Sequence, residues 1–126
     1  MKRVLTLLSF FIVFGWTSFA QEAEYQNKTA LIIGNSNYTD APLKNPENDA
    51  KVISQTLREI GFDVLEYTNL DSKGMKLAMR EFSEKLKEKP GVGLFYYAGH
   101  GIQSDGTNYL VPINRNVEEQ FEIEFE

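Results

Sequence analysis

The residue best suited to chemistry is His100, the only histidine among 126 residues. It stands between Gly99 and Gly101, directly after the apolar run 92–98. An imidazole titrates near neutrality, so it can take up and return a proton under ordinary conditions. The two glycines leave room for a ligand to approach the backbone, and the Gly101 amide could donate to an oxyanion. The plain alternative is a histidine that only ends a strand.

A second candidate is Asp49, which follows Asn45 and Pro46 in a segment typical of a helix start. A buried or half-buried carboxylate at this place would suit the binding of a basic group. The alternative is an acid in the first helical turn, which interacts favourably with the helix dipole.

Other chemistries are disfavoured by the residue types. Ser104 and Asp105 lie close to His100 in the sequence, but Ser-Asp-Gly-Thr is ordinary turn composition and no Gly-x-Ser-x-Gly elbow accompanies it. One histidine and scattered acids lack the spacing of a metal site, and no third glycine completes a phosphate-binding fingerprint. The absence of cysteine excludes a disulfide framework and a thiol nucleophile within these residues. We therefore expect no cofactor and no bound metal.

Hydrophobic spacing and turn residues predict the elements that position the candidates. In order they are a strand over 29–34, a helix from Asn45 to Ile60 ended by Gly61, a strand over 62–67, a helix begun by the caps at 69–71, a strand over 92–98, a polar turn over 103–108 and a short strand over 109–112. The second helix is predicted to bury one apolar face, formed by Met75, Ala78, Met79, Phe82 and Leu86.

The alternation of strands and helices indicates an α/β fold. Right-handed crossovers then give a parallel sheet with helices over its faces. Ligands of such sheets bind outside the carboxyl ends of the strands. His100 follows one such end and the loop 35–48 follows another. We therefore expect His100 and Asp49 on the same rim of the sheet.

The first twenty residues are typical of a secretory signal peptide. Two basic residues precede an apolar core over 4–16, and small residues at positions 18 and 20 indicate cleavage after Ala20. The alternative is an uncleaved anchor, although the apolar run is shorter than the roughly 20 residues of a membrane span. The interpretation predicts a secreted or periplasmic protein with a signal peptide over 1–20, a flexible lead-in over 21–27 and one domain over 28–126.

Charge narrows the range of partners. The formal net charge is −5. Without the signal peptide, eleven basic residues face eighteen acidic ones, and the charge becomes −7. An acidic protein of this kind is a poor ligand for nucleic acid or anionic membranes. We expect neither as a partner, and the oligomeric state is not readable from the sequence.

Four segments, 28–35, 43–50, 61–64 and 95–101, resemble the caspase-like cysteine peptidases in their order and spacing. The nearest likeness is to bacterial metacaspase- and paracaspase-like proteins with a p20-type domain, and it covers about residues 28–114. The resemblance implies a caspase-like three-layer α-β-α sandwich with a mostly parallel sheet. It also implies endopeptidase activity on protein or peptide substrates. Whether calcium activates the enzyme is not readable from these residues.

The resemblance also implies roles for the candidate residues. His100 matches the histidine of a His–Cys dyad, which assists thiolate attack and protonates the leaving amine. Gly101 matches the position whose amide helps to form the oxyanion hole. Asp49 matches the acid that, in the metacaspase-like branch, lies in the substrate pocket and favours Arg or Lys. No arginine lies in the loop 35–48, where selection of aspartate would need one.

One departure from the family's pattern concerns the nucleophile. The family's cysteine follows its histidine by about 50 residues, whereas twenty-six residues follow His100. We therefore interpret the domain as incomplete at its C-terminus, with the outer side of its third strand uncovered. As given, the chain is expected to fold marginally and to be inactive. A non-catalytic caspase-like binding module is the alternative, and a small flavodoxin-like ligand-binding domain is a weaker one.

Overall fold

The computed structural model describes residues 26–115. The predicted signal peptide, nearly all of the lead-in and residues 116–126 lie outside the described residues, so the predicted domain boundaries stay predictions. Within the described part, no helix is both long and apolar enough to cross a bilayer.

Among residues 26–115, three parallel strands form the central sheet. They are β1 (Lys28–Gly34), β2 (Asp63–Thr68) and β3 (Val92–Ala98), arranged in the order β2-β1-β3. The register places Gly34 beside both Thr68 and Ala98. The strands therefore end together at one rim, as the sequence predicted.

In the same part of the chain, two helices cover opposite faces of the sheet. Helix α1 (Pro46–Glu59) packs on the face that carries Ala30 and Ile32, and helix α2 (Ser72–Glu88) packs on the face of Leu31 and Ile33. Alternate residues of a strand point to opposite faces, so β1 is buried on both sides. The predicted apolar face of α2 is confirmed, because Met75, Ala78 and Phe82 are buried while Met79 and Leu86 pack partly buried around them. This arrangement confirms the predicted α/β fold with a mostly parallel sheet.

The start of α1 differs in detail from the prediction. Asn45 occupies the cap position, but its side chain makes no capping hydrogen bond. The Glu47 amide instead donates to the Ser36 hydroxyl at 3.3 Å, so a residue of the preceding loop supplies the cap. The end of α1 agrees with the prediction, since Gly61 adopts φ +89 there and donates its amide to the Arg58 carbonyl.

A hairpin follows the sheet where a polar turn had been expected. Strands β4 (Gly101–Ser104) and β5 (Thr107–Leu110) pair antiparallel, so the predicted turn over 103–108 and strand over 109–112 are wrong in their limits. The cause is Asp105-Gly106, where both residues have positive φ (50° and 80°) and form a two-residue turn. An Asp-Gly pair at this spacing favours such a turn because its twist matches that of the two strands.

Strand β3 lies at the edge of the described sheet. Among residues 26–115, no further strand pairs with its outer side, and Val92 and Phe95 keep 37% and 41% of their surface exposed.

Candidate active site

His100 lies at the carboxyl rim of the sheet, two residues beyond the end of β3. The Asn35 amide donates to the Ala98 carbonyl at 2.8 Å, so the loop that follows β1 begins beside the same strand end. This loop then folds back over the rim and contacts the imidazole through Ala41. The structure thus brings His100 and the loop after β1 together, as predicted.

The imidazole is oriented by one backbone carbonyl. Its Nε2 atom lies 2.7 Å from the Ala41 carbonyl oxygen. A carbonyl oxygen can only accept, so Nε2 must carry the hydrogen and donate it. In the neutral ring, Nδ1 then holds the free lone pair and is the atom able to accept a proton. The chemistry open to His100 is therefore proton transfer through Nδ1.

The backbone of His100 is held by two tyrosine hydroxyls. Its amide donates to the Tyr38 hydroxyl at 3.1 Å, and its carbonyl accepts from the Tyr97 hydroxyl at 3.0 Å and from the Val111 amide at 3.0 Å. The Tyr38 ring also meets the imidazole edge to face, with the ring centroids 4.5 Å apart. Sequence reasoning missed both tyrosines, because Tyr38 precedes His100 by 62 positions and only the fold brings them together.

Tyr97 is kept in its protonated, hydrogen-bond-donating form. Burial is the main cause that raises the pKa of Tyr97 above its ordinary value of 10.0, and the hydrogen bond with Tyr38 raises this pKa further. The Tyr97 hydroxyl lies within 3.0 Å of three oxygens, those of Tyr38, His100 and Val111. A phenol that stays neutral at every ordinary pH can serve as a permanent donor to the backbone at this rim.

The two glycines beside the histidine have different surroundings. A Cβ on Gly99 would lie 2.5 Å from the Tyr97 hydroxyl and 2.6 Å from the Tyr38 hydroxyl, which no side chain could tolerate. A Cβ on Gly101 would meet only the Tyr109 carbonyl at 3.4 Å, an ordinary contact. Gly99 is thus required for packing, whereas the packing of the described residues does not require a glycine at 101.

The direction of the Gly101 amide follows from the hairpin ladder. Gly101 pairs with Leu110, and the neighbouring pair is joined by the hydrogen bond from the Val111 amide to the His100 carbonyl. Hydrogen-bonded and non-hydrogen-bonded pairs alternate along antiparallel strands. Gly101 therefore belongs to a pair of the second kind, and its N–H group points away from β5. An amide in this orientation next to the imidazole can donate to a ligand.

Asp49 lies in the first turn of α1, which packs against the end of β1. The close packing is visible at Gly34, where a Cβ would lie 2.4 Å from the Pro46 carbonyl. Asp49 is exposed, so the expectation of a buried or half-buried carboxylate is wrong. The reason is that Ala50, and not Asp49, faces the sheet. Over residues 26–115, no ion pair or hydrogen bond of the Asp49 side chain connects it to His100 or to any other group.

Two asparagines fix the loop that carries Tyr38 and Ala41. Asn35 is fully buried, and its side chain accepts from the Leu70 amide at 2.9 Å and donates to the Leu70 carbonyl at 3.2 Å. Asn69 adopts φ 54, and its Oδ1 atom accepts from the amides of Ser36 and Asn37 at 2.9 and 3.0 Å. Asparagine tolerates the left-handed region, a property that could have marked Asn69 as a turn residue. Together they tie the loop to the end of β2.

The remaining sequence candidates take no part in the site. Ser104 and Asp105 stand at the tip of the hairpin, where Asp105 forms the turn. Within residues 26–115, no group of three or more His, Cys, Asp or Glu side chains is arranged to hold a metal ion. Within residues 26–115, the rim offers an oriented imidazole whose Nδ1 makes no hydrogen bond, an outward-pointing amide and an exposed carboxylate on the neighbouring helix.

Comparison with known proteins agrees with this geometry. The caspase domain family matches residues 27–124. Human mucosa-associated lymphoid tissue lymphoma translocation protein 1 is 39% identical over 90 residues, which are 71% of this chain and 11% of that protein. The mouse homolog is 38% identical over the same shares. The chain therefore spans about a tenth of the length of these curated relatives, and it belongs to the caspase domain family of peptidases, as its sequence motifs predicted.

Proposed function

We propose that these residues form the histidine-bearing part of a cysteine endopeptidase. His100 is the acid and base of a His–Cys dyad, and the thiol comes from outside the 126 residues, which contain no cysteine. The observation that carries the proposal is the 2.7 Å contact between Nε2 and the Ala41 carbonyl. It leaves Nδ1 as the nitrogen that would face a thiol.

The proposed reaction uses each group of the rim once in each half-reaction. Nδ1 of His100 accepts the thiol proton, and the thiolate attacks the peptide carbonyl carbon. The Gly101 amide donates to the oxyanion that develops on the carbonyl oxygen. The imidazolium then returns its proton to the leaving amine, and the acyl group stays on the sulfur as a thioester. Nδ1 next accepts a proton from the attacking water and returns it to the departing thiolate, which releases the acid and restores the thiol. Throughout, the Ala41 carbonyl accepts from Nε2 and stabilises the positive ring.

Substrate preference is assigned to Asp49. Its carboxylate is exposed at the start of α1, where it is free to meet an Arg or Lys side chain of a protein or peptide substrate. No calcium or other cofactor enters this mechanism. The predicted signal peptide makes the periplasm or the outside of the cell the proposed place of action.

The test uses the protein expressed from its complete reading frame. Fluorogenic peptides that end in Arg, Lys or Asp are offered to the wild type and to the His100→Ala and Asp49→Asn variants. We expect cleavage after Arg and Lys, a loss of at least about a hundredfold for His100→Ala, and a rise in KM on basic substrates for Asp49→Asn. Preference for Asp would contradict the role of Asp49, and unchanged activity of His100→Ala would contradict the dyad.

A non-catalytic binding module is the second candidate, because these residues hold no cysteine. It predicts that the complete protein binds extended basic peptides but cleaves none of them. Isothermal titration calorimetry with an intact Arg-containing peptide measures binding, and mass spectrometry of the same sample then shows whether the peptide was cut. Binding without cleavage supports the binding module, and cleavage supports the peptidase.

A further inference from the structure

The hydroxyl of Tyr38 has no role in the reaction proposed above, and it lies where a backbone hydrogen bond is expected. His100 and Val111 continue the β4–β5 ladder as a hydrogen-bonded pair, and the Val111 amide donates to the His100 carbonyl at 3.0 Å. Such a pair ordinarily exchanges two bonds. The second is replaced by a bridge, because the His100 amide donates to the Tyr38 hydroxyl at 3.1 Å and that hydroxyl donates to the Val111 carbonyl at 2.9 Å.

The proton count supports this bridge. The Tyr38 hydroxyl has one hydrogen and accepts one from His100, so its own hydrogen is available for Val111. The Tyr97 hydroxyl, 3.0 Å from that of Tyr38, can then donate to the His100 carbonyl at 3.0 Å. The His100 carbonyl also accepts from the Val111 amide, and the Val111 carbonyl also lies 2.9 Å from the Tyr97 hydroxyl, so the group at this junction that depends on Tyr38 is the His100 amide.

The same loop holds the imidazole ring as well as the backbone. Tyr38 meets the ring edge to face at 4.5 Å, and Ala41, three residues later, accepts from Nε2. A shift of the His100 backbone relative to this loop would change the Nε2 to Ala41 distance directly. Tyr38 belongs to this loop, and its hydroxyl binds both the His100 amide and the Val111 carbonyl. It therefore fixes the position of the His100 backbone relative to the loop.

We propose that Tyr38 is a positioning residue for His100, whose bridging hydroxyl keeps Nε2 on the Ala41 carbonyl and Nδ1 open. Its importance for catalysis rests on the function proposed above, but its effect on the ring does not. Loss of the hydroxyl breaks the link between His100 and Val111: the His100 amide loses the acceptor that it has among the described residues, whereas the Val111 carbonyl keeps the Tyr97 hydroxyl at 2.9 Å. The ring then exchanges between tautomers and orientations that the bridge excludes.

The test is long-range ¹H–¹⁵N NMR of the ¹⁵N-labelled 126-residue chain, in which the single histidine gives one unambiguous set of ring signals. In the neutral ring, wild type is expected to show the Nε2–H tautomer. Tyr38→Phe should lower the ratio of Nε2–H to Nδ1–H by about fivefold, the effect of one hydrogen bond of ordinary strength. Tyr109→Phe, on the adjacent strand β5, is the matched control and should keep the wild-type ratio.

An equal ratio in folded Tyr38→Phe and Tyr109→Phe would overturn the proposal. If Tyr38→Phe does not fold, amide hydrogen exchange of the wild type decides. The His100 amide must then be protected at least about tenfold over an unstructured amide, and exchange at the unprotected rate would refute the bridge. Neither measurement requires peptide cleavage, so an inactive enzyme would contradict the proposed function and leave this result standing. In an active full-length enzyme, Tyr38→Phe is expected to lower kcat and leave KM unchanged.

Discussion

The clearest stability prediction concerns the glycines on either side of His100, since one is packed and the other is not. Substitution Gly99→Ala would place a Cβ 2.5 Å from the Tyr97 hydroxyl, 2.6 Å from the Tyr38 hydroxyl and 2.7 Å from Cζ of Tyr97. All three distances are shorter than side chains accept, so the tyrosines or the strand end must move. Gly101→Ala is the matched control, because its Cβ makes only a 3.4 Å contact.

The expected magnitude follows from two effects. Overpacking of a tight site costs about 1–3 kcal/mol, and displacement of the tyrosine pair weakens hydrogen bonds worth about 1 kcal/mol each. We expect Gly99→Ala to lower the free energy of unfolding by roughly 3 kcal/mol, a large share of the 5–15 kcal/mol typical of a domain. Gly101→Ala should cost nothing, and could gain up to about 1 kcal/mol because glycine weakens strands.

Urea unfolding followed by circular dichroism at pH 7 measures both variants. If the free energy of unfolding falls with urea concentration by about 1.5 kcal/mol/M, the unfolding midpoint of Gly99→Ala should lie about 2 M below that of wild type. A double variant with Tyr97→Phe should recover part of the loss, because it removes the nearest clashing atom. Equal midpoints for the two glycine variants, or full additivity of the double variant, would refute the assignment of Gly99 to packing.

Two further predictions use the same unfolding assay. Asn35→Ala removes both hydrogen bonds to Leu70 from a fully buried site and should lower the free energy of unfolding by about 2–4 kcal/mol. The exposed Asn37 is the control, and Asn37→Ala should stay within about 0.5 kcal/mol of wild type. Similar losses in the two variants would argue against the role of Asn35 in fixing the loop. The pKa of Tyr97 is raised, so the folded state keeps a proton that the unfolded state loses above about pH 10. The contribution of Tyr97 to the free energy of unfolding should therefore be fully present below that pH and decrease above it. Tyr97→Phe should flatten this fall and Tyr96→Phe should not, as unfolding curves between pH 8 and 11 can establish.

The parts of the fold that were predictable are those with local causes. Proline and an acid at the start of α1, Gly61 at its end and the apolar spacing of α2 act within a few residues of one another. The rim that joins His100 to the loop after β1 follows from the order of elements alone, because parallel strands end on one side. The hairpin limits were missed although the signal, Asp105-Gly106, was local and of a known turn type.

The parts that were not predictable depend on contacts distant in sequence. The cap of α1 comes from Ser36, eleven positions before the amide that it accepts from, because the loop returns to the helix. The exposure of Asp49 depends on the rotation of α1 against the sheet, which Ala50 and Leu57 decide. The Tyr38 bridge requires the loop, the end of β3 and the hairpin to meet at one place. No pattern within a single segment indicates such a meeting.

The position of His100 explains why this site needs a side chain to complete its backbone. Up to Ala98 the chain pairs with β1 in a parallel ladder, and from His100 onward it pairs with Val111 and β5 in an antiparallel one. Where a strand changes partners, one ladder ends before the other is complete, and a half-buried amide needs another acceptor. Tyr38 supplies that acceptor from the loop that also carries the Ala41 carbonyl. The change of ladder thus gives the imidazole a half-buried position at the rim, and the tyrosine hydroxyl gives that position a single geometry.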